Sequence, residues 1–144
     1  MENFEIRNTL FSYINRAHHK GTVYIDELSK KRGIENIEYS HIRIIIMLSI
    51  YKKLSMKEIS ELISKDKSTV TTLVNKLVSL GYVKKEVCSE DKRIFYLTLE
   101  DKADEIIDTV FQLSKHFHQK EESILTKEEI KTLFFLMEKL VKNF

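Results

Sequence analysis

The sequence predicts a mainly α-helical fold with one small β-hairpin, and three observations predict it. The 144 residues contain no proline and only three glycines, Gly21, Gly33 and Gly81, too little turn punctuation for an all-β sandwich or barrel. Apolar residues recur every three or four positions over most of the chain, the spacing of amphipathic helices. Only after Gly81 does the pattern switch to period two. With 42% hydrophobic and 32% charged residues, the composition is that of one globular domain with a well-solvated surface.

Residues 1–33 read as a first long helix, with Phe4, Leu10, Phe11, Ile14, Ala17, Val23, Tyr24 and Leu28 near helical spacing. Lys30, Lys31 and Arg32 before Gly33 mark its end. Cations suit the negative pole of a helix, and glycine accepts the left-handed closing conformation. Gly21 is placed to kink or interrupt this helix. A second helix is expected from Ile37 to Ile50, starting near Asn36 or Glu38.

Ser55-Met56-Lys57-Glu58 has the form of a capping box, flanked by Leu54 and Ile59 as a hydrophobic staple, and opens a short helix to Ile63. After the polar turn Ser64-Lys65-Asp66, Asp66 is placed to cap a helix running to Leu80. Val70, Leu73, Val74 and Leu77 fall at i, i+3, i+4 and i+7 and form its buried stripe. Tyr82–Val87 and Ile94–Leu99 then alternate as two strands around the polar tip Cys88-Ser89-Glu90-Asp91-Lys92-Arg93. A helix resumes near Asp101 and carries Ile106, Ile107, Val110, Phe111 and Phe117. Thr126 and Glu129 form a second capping box, with Leu125 and Ile130 as staple, before a last helix reaching Phe144.

Charge is unevenly spread. Net charge is +2 overall, but residues 1–51 carry +1, residues 52–97 carry +4 and residues 98–144 carry −3. A basic middle and an acidic end orient a protein against a polyanion.

Helix, turn, helix and hairpin in this order make a winged helix-turn-helix, over residues 54–99 (helix-turn-helix 55–80, wing 82–99). In that arrangement the first helix braces, the second lies in the major groove of duplex DNA and the hairpin reaches the flanking backbone. With the apolar stripe turned inward at 100° per residue, Ser68, Thr72, Asn75 and Ser79 point outward, flanked by Thr69, Thr71 and Lys76. Short hydroxyls, an amide and lysines approach base edges and phosphates closely, and no carboxylate stands on that face. The candidate DNA-contacting residues are Lys67, Ser68, Thr69, Thr71, Thr72, Asn75 and Lys76 on the helix, with Asp91, Lys92 and Arg93 at the wing tip. The competing reading is a protein-interaction module whose basic face meets an acidic partner.

The stretch LSMKEISELISKDKSTVTTLVNKLVSLGYV, Leu54 to Val83, resembles the helix-turn-helix of the MarR family of bacterial transcription regulators. A Ser-Thr-Val-Thr run opens the recognition helix and Leu-x-x-x-Gly closes it. The segment SEDKRIFYLTLEDKA, Ser89 to Ala103, is similar to that family's wing, with Asp-x-Arg before the returning strand. The resemblance implies a homodimer whose terminal helices interlock, set over a pseudo-palindromic operator. It also implies release from DNA by a small-molecule effector held between dimer helices and DNA-binding lobe, most often in a repressor. It places Ser68, Thr69, Thr72 and Lys76 toward the major groove and Arg93, ordered by Asp91, at the minor groove. The chain departs from the family pattern at Ser64, where glycine is usual, and at Leu99-Glu100-Asp101-Lys102-Ala103, where Leu-Thr-x-x-Gly is usual.

The terminal segments, 1–33 and 101–144, also point to a dimer on their own. Apolar positions from Ile130 to Phe144 spread over about 160° of the helical wheel, with Phe135 outside even that arc. One small lobe cannot cover such helices, and a two-fold dimer does so while spacing two recognition helices about one DNA turn apart.

Other chemistry finds little footing. His18, His19, His41, His116 and His118 lack the i,i+3 or i,i+4 spacing of helical metal ligands, so neither a metal nor a cofactor is expected. The lone Cys88 forms no internal disulfide, and Lys84, Lys85 and Lys92 nearby are placed to activate its thiol, though an inert strand residue is the favoured reading. No phosphate loop, nucleophile elbow or catalytic triad spacing appears, so an enzyme is not expected. Apolar runs such as Ile44–Leu48 fall far short of a membrane span and no signal peptide opens the chain, so a cytoplasmic location is expected.

Overall fold

The computed structural model describes residues 9–144, so Phe4, assigned above to the first helix, lies outside the described residues. Thr9 accepts a hydrogen bond from the Ser12 amide at 3.2 Å and caps α1, Leu10–Lys31. Gly21 does not interrupt α1, which runs through it unbroken. A single helical glycine costs only about 1 kcal/mol, too little to stop a helix fixed on both sides. At the far end Gly33 takes φ +81° and the Ile34 amide donates back to the Ser29 carbonyl, the closure expected from the basic run and glycine.

Helix α2, Tyr39–Tyr51, is capped by Glu38, one of the two expected starts, and so leaves Ile37 outside the helix. Ile37 is nonetheless buried, as a loop residue. Two contacts fix this start. Asp26 of α1 accepts the Tyr39 amide at 2.7 Å, and the Glu38 amide donates to Nδ1 of His41 at 3.1 Å. Burial raises the Asp26 pKa above the ordinary aspartate value, against the pull of the Tyr39 hydrogen bond. His41 itself is buried, and its pKa is lowered first by desolvation and then by the charge of Lys76.

A short strand follows that period-two reasoning did not find: β1, Leu54–Ser55. Helices α3, Met56–Ile63, and α4, Lys67–Ser79, come next, then β2, Val83–Val87, and β3, Phe95–Leu99. The strands form one antiparallel sheet in the order β1-β3-β2, with Leu54 opposite Leu97 and Lys85 opposite Leu97 on the other side. Beyond β3 a single 3-10 turn, Asp101–Ala103, precedes α5, Asp104–Ile124, and α6, Lys127–Asn143.

The chain divides into two compact units, one up to Phe111 and one from Gln112 to Phe144. In the first, α2 supplies Ile42, Ile44, Ile45 and Leu48 to a core shared with Ile59 and Ile63 of α3 and with Val70, Val74 and Leu77 of α4. Val83, Leu97 and Ala103 close it. Each such aliphatic side chain contributes about 1.5–3 kcal/mol on burial. In the second unit Thr126 and Glu129 exchange the two hydrogen bonds of the expected capping box, at 2.8 and 3.2 Å, yet α6 buries no residue. No helix among the described residues is long and apolar enough to cross a membrane.

Candidate nucleic-acid interface

The site is built by the turn between α3 and α4. Ser55 and Glu58 form the expected capping box of α3. Ser64 ends α3 with φ +54°, the left-handed region in which glycine is usual. The Ser60 hydroxyl donates to the Lys65 carbonyl across this turn. Arg43 of α2 holds it from behind, donating from Nη1 to the Ile63 carbonyl at 3.1 Å and from Nη2 to the Leu62 carbonyl at 3.0 Å.

Asp66 then caps α4. Its carboxylate accepts both the amide of Thr69 at 2.8 Å and the hydroxyl of Thr69 at 2.9 Å. These bonds, the amide first, hold its pKa below the ordinary aspartate value. Val70, Val74 and Leu77 are fully buried and Leu73 is half-buried, which fixes the rotation of the helix. Lys67, Ser68, Thr72, Asn75, Lys76 and Ser79 are exposed, and Thr69 and Thr71 are half-buried at the margins. Three hydroxyls on this helix donate to its own carbonyls: Thr71 to Lys67 at 2.9 Å, Thr72 to Ser68 at 3.2 Å and Ser79 to Lys76 at 2.7 Å. Having donated, each hydroxyl oxygen keeps its lone pairs as acceptors.

The hairpin carries five of its charges, those of Lys84, Lys85, Glu86, Asp91 and Arg93, in partnered form. Lys84 pairs with Glu86 at 2.9 Å, and that hydrogen bond raises the lysine pKa and lowers the glutamate's. Lys85 lies 4.3 Å over the Phe95 ring, and Lys53 lies 4.8 Å over Tyr96. At the tip the Cys88 amide donates to the Ile94 carbonyl at 2.8 Å, closing a tight loop. Inside it, Arg93 grips Asp91 with a two-pronged contact, Nε to Oδ1 at 3.1 Å and Nη2 to Oδ2 at 3.0 Å. The Arg93 amide donates to the same carboxylate at 3.0 Å. These bonds, the guanidinium's first, lower the Asp91 pKa. The Arg93 side chain is still 90% exposed, so the fork aims it outward without covering it. Lys92 is exposed beside it, and Cys88 is a half-buried free thiol.

Two contacts at this site escaped the sequence reading besides Arg43. The Lys102 ammonium donates to the Leu80 carbonyl at the end of α4, at 2.8 Å. His41, considered above only as a metal ligand, instead caps α2. His18 stacks edge-on with Tyr39, and His118 pairs with Glu121 and Glu122. Among the described residues no three His, Cys, Asp or Glu side chains are grouped to hold a metal.

Residues 35–94 match the sequence model of the MarR family. A curated relative, the HTH-type transcriptional regulator BilQ of Clostridium symbiosum (strain WAL-14163), is 30% identical over 89 residues, 62% of each protein's length. A solved mutant MarR from E. coli in complex with operator DNA is 23% identical, with a TM-score of 0.80 over 91% of this chain and 92% of that one. BpsR of Bordetella bronchiseptica, whose DNA binding is regulated by 6-hydroxynicotinic acid, is 12% identical, with a TM-score of 0.84 over 96% of both chains. At these identities the two structures establish the likeness of fold, a mainly helical winged-helix chain with a small antiparallel sheet.

Proposed function

We propose that this chain, whose residues 35–94 match the MarR family model, is a transcription regulator of that family that reads duplex DNA as a homodimer. One observation carries the reading: α4 buries Val70, Val74 and Leu77 completely while Ser68, Thr72, Asn75 and Lys76 stand exposed. A helix rotated in this way after a tight turn, with a hairpin beyond it, suits the major groove. Lys67, Ser68, Thr69, Thr71, Thr72, Asn75 and Lys76 serve as its contacts to bases and phosphates, and Lys92 and Arg93, with Asp91 ordering the arginine, reach the flanking backbone. The operator complex of the E. coli relative supports this use of the fold.

In this proposal residues 54–99 are the DNA-binding lobe, and segments 1–33 and 101–144 join two copies over a pseudo-palindromic operator. The protein acts as a cytoplasmic repressor whose DNA binding a small-molecule effector lifts, as the ligand regulation of BpsR suggests. Such a ligand acts by favouring a spacing of the two lobes that does not fit adjacent half-sites.

Selection from a random duplex pool is expected to return one inverted repeat, bound with an affinity that falls steeply as salt rises. Arg93→Ala is expected to weaken binding to every duplex alike. Thr72→Ala is expected to change the preferred base at one position of each half-site, by about tenfold. Two folded variants that bind like wild type overturn the assignment of the reading face. A pool that yields no preferred sequence overturns sequence-specific reading, and salt-sensitive capture of acidic proteins alone favours the interaction module.

A further inference from the structure

The C-terminal end of α4 is held by a residue that lies 22 positions away and outside the DNA-facing set. A helix end leaves its last carbonyls without partners inside the helix. Here the Tyr82 amide takes the Leu77 carbonyl and the Gly81 amide takes the Val78 carbonyl, both at 3.0 Å. The Leu80 carbonyl receives the ammonium of Lys102 at 2.8 Å. A cation at this pole also suits the helix dipole.

The lysine is anchored at its base and fitted along its stem. Ala103 beside it is fully buried, its amide bonds the Glu100 carbonyl at 2.9 Å, and the Glu100 amide bonds the Tyr82 carbonyl at 2.9 Å. The stem passes Gly81 so closely that a Cβ there would stand 3.2 Å from Lys102 Cδ. The ammonium also lies 5.3 Å from the centre of the Tyr82 ring. One side chain thus engages residues 80, 81 and 82 in succession, and ties the end of α4 to the turn from which α5 starts.

We propose that Lys102 is a positioning residue for DNA reading, which sets the tilt of α4 without touching the duplex. The proposal rests on the DNA-reading function above. Helix α4 has 13 residues and is about 20 Å long, so a tilt of about 5° at Leu80 moves the first turn by nearly 2 Å. Lys67, Ser68 and Thr69 sit at that far end. A shift of that size takes a hydrogen-bonding group out of reach of a base edge.

The test measures binding of the full-length protein to its selected operator duplex over a series of salt concentrations, where circular dichroism shows each variant folded. Lys102→Met is expected to bind about five- to tenfold more weakly, with the slope of log affinity against log salt unchanged. Lys102→Arg, whose guanidinium still donates to the Leu80 carbonyl, is expected to return to within about twofold of wild type. A slope reduced by about one ion in Lys102→Met would mean a direct phosphate contact and overturn the positioning role. Undiminished affinity in Lys102→Met overturns it as well. Wild-type protein that binds no duplex overturns instead the DNA-reading function on which the role depends.

Discussion

Helices α4 and α6 are both amphipathic, yet they meet opposite fates. Helix α4 buries Val70, Val74 and Leu77 of its apolar stripe at 0% exposure and half-buries Leu73. Helix α6 buries no residue fully: Ile130, Met137 and Leu140 are only half-buried, and Leu133, Phe134, Phe135, Leu136 and Val141 remain exposed, Phe134 at 70%. The contrast separates two kinds of apolar pattern. The first is satisfied by its own chain and fixes which polar face looks outward. The second stays uncovered in this chain, and in the homodimer proposed above a second copy would cover it.

The contrast breaks most visibly at Phe134. Phe134→Glu is expected to convert a particle of twice 17.1 kDa into one of 17.1 kDa in solution. Affinity for an inverted repeat is expected to fall by about a hundredfold or more, because the two lobes then bind independently. Unchanged mass in that variant would place the dimer contact elsewhere.

Leu77→Ala probes the other helix. It is expected to lower the unfolding free energy by about 2–5 kcal/mol, read from the denaturant midpoint, and to leave the solution mass at two chains.

His41 sharpens the comparison with a smaller effect. Its pKa is lowered in the folded lobe by burial and by Lys76, with Glu38 opposing. The unfolded chain therefore takes up a proton that the folded lobe refuses. Stability is complete above the ordinary value of 6.5 and declines as pH falls through it toward the lowered folded value. Protonation of Nδ1 would also remove the acceptor for the Glu38 amide. Melting temperatures measured between pH 7.5 and pH 5.5 are expected to show this decline, and His41→Gln, which keeps an acceptor without titrating, is expected to remove its share.

What could be read from the sequence was local. The boxes Ser55/Glu58 and Thr126/Glu129 and the closing glycines Gly33 and Gly81 act within three to five residues, and all four form as expected. The polar face of α4 was legible for the same reason, since its buried stripe is periodic. Strand β1 was not, because two residues carry no alternation and Leu54–Ser55 becomes a strand only by pairing with Leu97 and Tyr96. The clasp of Arg43 on Leu62 and Ile63 and that of Lys102 on Leu80 span 19 to 22 positions, beyond any local pattern. The His41 cap was hidden differently, since histidine stands where Glu or Gln forms the usual box.

The order β1-β3-β2 gives the small sheet two free margins. One margin is only two residues long, and the other, β2, sets Lys84, Lys85 and Glu86 between its two valines. Short length and charge are the ordinary defences against a foreign strand adding to a sheet. In the dimer proposed above, wings brought side by side on neighbouring half-sites would thus be kept from fusing into a common ribbon.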